Sequence, residues 1–400
     1  MQPRVLVIAP YYRAFSYARV ARELSRRLVE DFELHQFALD TAREDIAEDW
    51  VIHSNPGVAR DPFGSATLPD VLERVRPQAV VIINDIWLYH RYARILAGAA
   101  RRPKLLLHCP IDQVPVAEGV SDGLRGLDGV VVFLDFAKRA ILDDWALRHA
   151  RPPPFRIDVI PHGVDAAAFS RLDAGLADRR AVARRTLVPK RTDLDEAVII
   201  LNANQNSPRK RLDVTVAGFA AMVREVRRPC FLWLHTDMHA FGTPALRPQM
   251  RDLGIEDRVI VSSSKPGGPV FDDATLNLLY NACDIGINTS GGEGWGLVAF
   301  EHGATEAAQI VPDNSAPATL WSEAGMLVET SGGAPPHPGA SGYRAPCAEA
   351  VAEALCVLVE EPDLRATYAA RAMHLAQRTD LSWDSVATRW RDLLNRVLAV

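Results

Sequence analysis

The stretch that most restricts the fold of this chain covers residues 283–305, CDIGINTSGGEGWGLVAFEHGAT. Its apolar run at residues 285–287 has the length of a buried parallel strand. A loop holding Gly291, Gly292, Glu293, Gly294 and Gly296 follows, and then Leu297, Val298, Phe300 and Ala304 recur at helical spacings. Strand, glycine-rich turn and helix N-terminus together form an anion site in α/β proteins. Glycines let the backbone approach a ligand, and the first amides of a helix have no partner within it.

Two carboxylates make this stretch more specific than a glycine turn. Glu293 lies in the loop and Glu301 on the helix, with seven residues between them. A carboxylate accepts two hydrogen bonds at once, which suits vicinal hydroxyls of a ribose or hexose. The plainer alternative is a tight turn with two solvated acids. Four glycines among the six positions 291–296 argue for the ligand site.

The rest of the chain supplies the setting. Short apolar runs at residues 5–9, 80–83, 105–107, 130–133 and 158–160 alternate with helical stretches, and a second series follows at 197–201, 231–234, 259–261, 285–287, 310–311 and 326–328. Such alternation predicts α/β architecture with parallel, doubly wound sheets, whose ligands bind beyond the carboxyl ends of the strands. His108 and Asp112 occupy such a place in LLLHCPIDQVP, as does the turn PHGVD at residues 161–165. A lone histidine after a strand is as readily a structural residue as a substrate contact. After the strand at 197–201 come Arg209, Lys210 and Arg211, where an anion would be met.

At 400 residues the chain is long enough for two domains. The expected division is 1–170, a charged linker at 171–195 whose arginines read as a solvated face, 196–375, and a final helix within 376–400. Hydrophobic content of 48% and 24% charged residues fit a globular protein, and a net charge of -5 gives no pull towards nucleic acid or anionic membrane. No apolar run has the length of a membrane span, and five scattered cysteines read as reduced thiols, so a cytoplasmic location is expected. Abundant Ala, Arg and Pro suggest a bacterial source.

The Glu-x7-Glu spacing in GEGWGLVAFE resembles the donor-site signature of retaining glycosyltransferases of the GT-B fold, especially glycosyltransferase family 4. The resemblance implies two Rossmann-like domains, an N-terminal one for acceptor and a C-terminal one for donor, with the last helix crossing back to the first. That helix, 383–400, would bury Val386, Trp390, Leu393, Leu394 and Val397. The implied activity is metal-independent transfer of a sugar, with retention, from a nucleotide-diphosphate-sugar to a small-molecule, glycan or peptide acceptor, without a cofactor. By the same resemblance Glu293, Lys210 and His108 take catalytic places. Arg209, Gly294, Trp295, Gly296, Leu297 and Glu301 would bind donor, and Asp112 acceptor. Two departures stand out. Gln205 occupies the arginine position of the family's Arg-x4-Lys element, and Ala14-Phe15-Ser16 replaces its first glycine loop, with Ser16 an expected helix cap. Alternatives are a nucleotide-sugar epimerase, a phosphorylase using pyridoxal phosphate, or a non-catalytic nucleotide-sugar-binding subunit.

Overall fold

Apolar runs of three to six residues become the strands of two parallel sheets. The computed structural model describes residues 2–12, 16–99, 101–172, 178–239, 245–331 and 342–399, so Ala14 and Phe15 lie outside it, and Ser16 is the first residue of a helix. The chain forms two units. The first comprises Met1–Ile111, Pro115–Gly163 and Asp380–Val400, the second Asp112–Val114 and Val164–Thr379.

The first unit runs β1 (Arg4–Ala9), α1 (Ser16–Leu28), β2 (Glu33–Ala38), β3 (Val51–Ser54), α2 (Leu68–Val75), β4 (Ala79–Ile83), α3 (Ile86–Ala97), β5 (Lys104–His108), β6 (Gly129–Val132), α4 (Asp135–Ala146) and β7 (Arg156–Val159). Its sheet has the order β3-β2-β1-β4-β5-β6-β7, and every paired neighbour is parallel. Alternate residues serve opposite faces. Leu6, Ile8, Val80, Ile82, Leu107 and Val130 share one buried cluster, while Val5, Val7, Val81, Ile83, Leu106 and Val131 belong to another. Burial on both faces explains why these strands read as continuous apolar runs.

The second unit contains α5 (Arg179–Leu187), β8 (Val198–Asn202), α6 (Leu212–Glu225), β9 (Cys230–Leu234), α7 (Leu246–Asp252), β10 (Val259–Val261), α8 (Asp273–Ala282), β11 (Ile285–Ile287), α9 (Leu297–Ala304), β12 (Ala308–Pro312), α10 (Ser315–Leu320), β13 (Met326–Val328), α11 (Ala348–Glu360) and α12 (Pro362–Ala376). The sheet order is β10-β9-β8-β11-β12-β13, again parallel throughout. The last helix, α13 (Trp383–Leu398), returns to the first unit. Its Val386, Trp390, Leu393, Leu394 and Val397, the face expected to be buried, join Trp383 and Val20, Leu24 and Leu28 of α1 in one buried cluster.

Two expectations need correcting. Strands β2 and β3 escaped the sequence pattern because ELHQFA and VIHS carry polar residues; Gln36 is buried, donating to Pro10 O at 3.2 Å and accepting from Trp50 Nε1 at 3.1 Å. Three of the four arginines of α5, Arg179, Arg180 and Arg184, are no solvated face, while Arg185 is exposed. Arg184 is 2% exposed and donates to the carbonyls of Ala282, Leu194, Asp195 and Ala197 while pairing with Asp284 at 2.7 Å. In the turn PHGVD, Gly163 provides room, since a methyl group there would overlap the Trp383 ring.

Candidate active site

The second sheet changes direction of winding between β8 and β11, which pair directly through Ile200 and Ile285. A crevice opens at such a switch point beyond the carboxyl ends of the two strands. The loop after β8 carries Arg209 and Lys210, and the loop after β11 carries Glu293. Strand order thus brings together two motifs that lie far apart in the chain.

Each loop is held in shape by its own backbone partners. Residues Pro208–Lys210 form one 3-10 turn, and Arg211 closes it in the left-handed region at φ 50° before α6 begins. Thr289 Oγ1 hydrogen-bonds the Arg211 carbonyl at 2.8 Å, and Gly291 N donates to the Arg209 carbonyl at 2.9 Å. Glu293 N donates to Ser315 Oγ at 2.9 Å. Gly296 stands before α9 at φ 97°, a conformation that disfavours any side chain.

The charged groups converge on Glu293. Lys210 Nζ donates to its Oε1, Arg209 Nη1 lies 3.3 Å from its Oε2, and Asn288 Nδ2 is 3.3 Å from Oε1. Arg209 Nη1 also donates to Gly292 O. Burial would raise the Glu293 carboxyl, but Lys210 and Arg209 beside it outweigh this and hold it at about 2. Burial pulls the Lys210 ammonium down, against Glu293, which raises it. For Arg209 burial likewise pulls downward, yet Glu293 and Asp112 keep the guanidinium above its ordinary range. Arg211 turns away to pair with Asp213 at 2.9 Å, and Gln205 is exposed.

Asp112 groups with this unit, its Oδ2 3.4 Å from Arg209 Nε and its Oδ1 accepting from the Tyr343 hydroxyl at 2.8 Å. Glu301, on α9, is 7% exposed and accepts from the Tyr280 hydroxyl at 2.9 Å. Trp295 stacks on Phe300 with centroids 5.1 Å apart and is buried, so its ring belongs to the core. Gly294 and Leu297 lie on the loop and at the start of α9.

Comparison with solved structures settles the architecture. Over 100% of both chains, the structure is similar to sucrose-phosphate synthase (tll1590) from Thermosynechococcus elongatus, with a TM-score of 0.73 at 17% identity. Anabaena Alr3699/HepE, solved in complex with UDP and glucose, gives 0.72 at 14% identity over 99% of this chain and 100% of that one. WaaG, a glycosyltransferase involved in lipopolysaccharide biosynthesis, gives 0.67 at 13% over 98% and 99%. The fold is GT-B. No protein-family model and no curated protein matches the chain.

Within this GT-B chain, His108 is placed differently from the cluster around Glu293. It lies in the first unit, 1% exposed, its ring 4.8 Å from that of Phe133, 5.4 Å from His162 and 5.1 Å from Trp390. Burial, with His162 beside it, pushes its pKa well below the ordinary histidine value. This is the setting of a packed, neutral ring. Sequence reasoning missed Tyr343, Tyr280 and Asn288 as site residues. Tyr280 was legible only as a helix-face aromatic, and nothing in the spacing around Tyr343 marks it. Among the described residues no helix is long and apolar enough to cross a membrane, and no group of three or more His, Cys, Asp or Glu is arranged to hold a metal.

Proposed function

We propose that the protein is a retaining glycosyltransferase that moves a sugar from a nucleotide-diphosphate-sugar to an acceptor. The observation that carries this reading is the meeting of Lys210 and Arg209 with Glu293 at the switch point of a GT-B donor-side sheet, beside a glycine loop that opens into α9. Solved relatives of the same fold include HepE in complex with UDP-glucose and a trehalose-6-phosphate protein from E. coli with UDP-2-fluoro glucose, which supports a nucleotide-sugar donor here.

In this reading the donor diphosphate sits on Lys210, Arg209 and the first amides of α9. As the anomeric C–O bond breaks, charge grows on the departing phosphate, and these groups stabilise it. Glu293 exchanges its cations for hydroxyls of the transferred sugar, and Glu301 takes the ribose diol. The acceptor attacks from the face the leaving group vacates, and the departing phosphate oxygen accepts its proton. Two cations and a helix N-terminus carry the charge, so turnover proceeds without a divalent metal. Neither the packed His108 nor the indole of Trp295 has a part in this chemistry.

The test is a thermal-shift panel of nucleotide-sugars followed by turnover assays on the stabilising donor, with and without chelator. Stabilisation by no nucleotide-sugar would sink the reading, and turnover abolished by chelator and restored by manganese would remove its metal independence. Gln205 favours one second reading, a non-catalytic nucleotide-sugar-binding subunit. Such a protein would bind donor and turn over with no acceptor.

A further inference from the structure

The Arg209 side chain is long and flexible, so a guanidinium standing in for the charge absent at Gln205 needs to be held in place. Asp112 holds it at Nε, and Tyr343 holds Asp112. Asp112 Oδ2 lies 3.4 Å from Nε, and Tyr343 donates to the other oxygen of the same carboxylate at 2.8 Å. Nε and Nη1 are thus engaged by different acids, Asp112 and Glu293.

An independent observation ties the same two residues to the glycine loop. A methyl group on Gly292 would overlap the Asp112 carbonyl and meet the Tyr343 ring at 2.8 Å. The neighbouring backbone is laced across three segments: Gly291 N donates to Arg209 O at 2.9 Å, and Arg344 N donates to Gly291 O at 2.8 Å. Asn314 Nδ2 fastens the strap by donating to Ser290 O at 3.0 Å and Arg344 O at 2.6 Å.

We infer that Tyr343 is a positioning residue for the donor diphosphate, acting through Asp112 to hold Arg209. The inference rests on the donor-site reading above. When a diphosphate draws Nη1 away from Glu293, Asp112 still fixes Nε, and the Tyr343 hydroxyl fixes Asp112. Asp112 then serves Arg209 rather than an acceptor hydroxyl. The Asp112 and Glu293 carboxylates balance the Arg209 and Lys210 cations, so orientation rather than surplus charge decides how well an anion is gripped.

The experiment titrates UDP, GDP and ADP by calorimetry into the full-length protein and follows the one bound most tightly. Tyr343→Phe keeps the ring on Gly292 and removes only the hydroxyl; it should weaken binding about 3- to 10-fold, with a loss of thermal stability no larger than that of one hydrogen bond. In an Arg209→Lys background, where no Nε remains for Asp112 to hold, the same change should have no further effect. Asp112→Asn, which breaks the link at its middle, should reproduce the loss seen in Tyr343→Phe if that variant proves unstable. Lys210→Ala should weaken binding whether or not Tyr343 is altered. Should Lys210→Ala lose affinity while Tyr343→Phe binds normally, or lose as much with Lys at 209 as with Arg, the positioning role is wrong and the donor site stands. No binding by the wild type, or full binding by Lys210→Ala, overturns the donor-site reading and this inference with it.

Discussion

The Tyr280 hydroxyl, on α8, donates to Glu301 Oε2, on α9, at 2.9 Å, and both side chains are buried. The bond fixes the plane of the carboxylate, and Tyr280 itself packs against the rings of His302, 5.5 Å away, and Phe169, 5.6 Å away. Tyr280→Phe should therefore weaken nucleoside diphosphate binding by about 0.5–1.5 kcal/mol, less than the roughly 1.5–3 kcal/mol expected for Glu301→Ala. Since the ribose is remote from the breaking bond, both losses should appear in KM and leave kcat near the wild-type value. A fall in kcat with KM unchanged would show that Glu301 does not hold the ribose.

Glu293 should behave differently. Its carboxylate occupies the cations that a diphosphate needs, so Glu293→Gln should bind the free nucleoside diphosphate at least as tightly as wild type while turning over nucleotide-sugar more slowly. Calorimetry with the diphosphate, set beside steady-state rates, checks this. Weaker diphosphate binding in Glu293→Gln would mean that the carboxylate only organises the loop.

Lys210→Ala removes the ammonium expected to face the leaving group. Turnover should fall about 10²–10³-fold, the scale for one electrostatic stabiliser. Arg209 remains beside Glu293, so the buried carboxylate keeps a cationic neighbour and the protein should stay folded. Wild-type kcat in this variant would reduce the basic cluster to a structural feature.

Stability should carry the signature of Glu293 in acid. The carboxyl is held at about 2 in the folded protein against an ordinary value of 4.5. A depressed folded value contributes stability that is present above pH 4.5 and is lost as the pH falls towards 2. The full contribution is on the order of 3 kcal/mol. Thermal unfolding of wild type and Glu293→Gln should thus differ at pH 6 and converge as the pH falls below about 4. A constant difference down to pH 3 would contradict the assignment.

Gly292 and Gly296, on either side of Glu293 in the loop, should fail for separate reasons. Gly296→Ala meets open space but needs φ 97°, and should cost about 1–2 kcal/mol of stability. Gly292→Ala has no such dihedral demand, yet its methyl must displace the Asp112 carbonyl or the Tyr343 ring. Donor affinity should fall in Gly292→Ala beyond what its unfolding midpoint explains. Equal effects of both on affinity would show that neither contact shapes the site.

Much of this site could be read from the sequence, and the missing parts have physical reasons. The strand before Gly291 and the helix after Gly296 were visible because a strand buried on both faces is uniformly apolar and the turn is rich in glycine. Lys210 was placed correctly beyond β8 because loops at a switch point are neighbours whatever their distance along the chain. Tyr343 was not legible, since one phenol after a Gly- and Pro-rich stretch carries no spacing that points to Asp112. Asp112 and Arg209 were both singled out, but their pairing could not be read, because ion pairs leave no period in a sequence. The polar strands β2 and β3 were hidden for a related reason: Gln36 satisfies its amide inside the fold, where the pattern shows only a polar residue.

The arginines of α5 also decide where this chain can be cut. Composition would begin the second unit at Glu196. A fragment starting there would strip Arg179, Arg180 and Arg184 from the carbonyls of Ala282, Cys283, Thr305 and Glu306 and from the Asp284 carboxylate. Those acceptors would then face water or one another at the ends of α8 and α9, the helices that carry Tyr280 and Glu301. A fragment meant to keep these contacts should instead start at Val164, so that the segment resembling a disposable tether travels with the half it staples, although Asp112 is lost from either fragment.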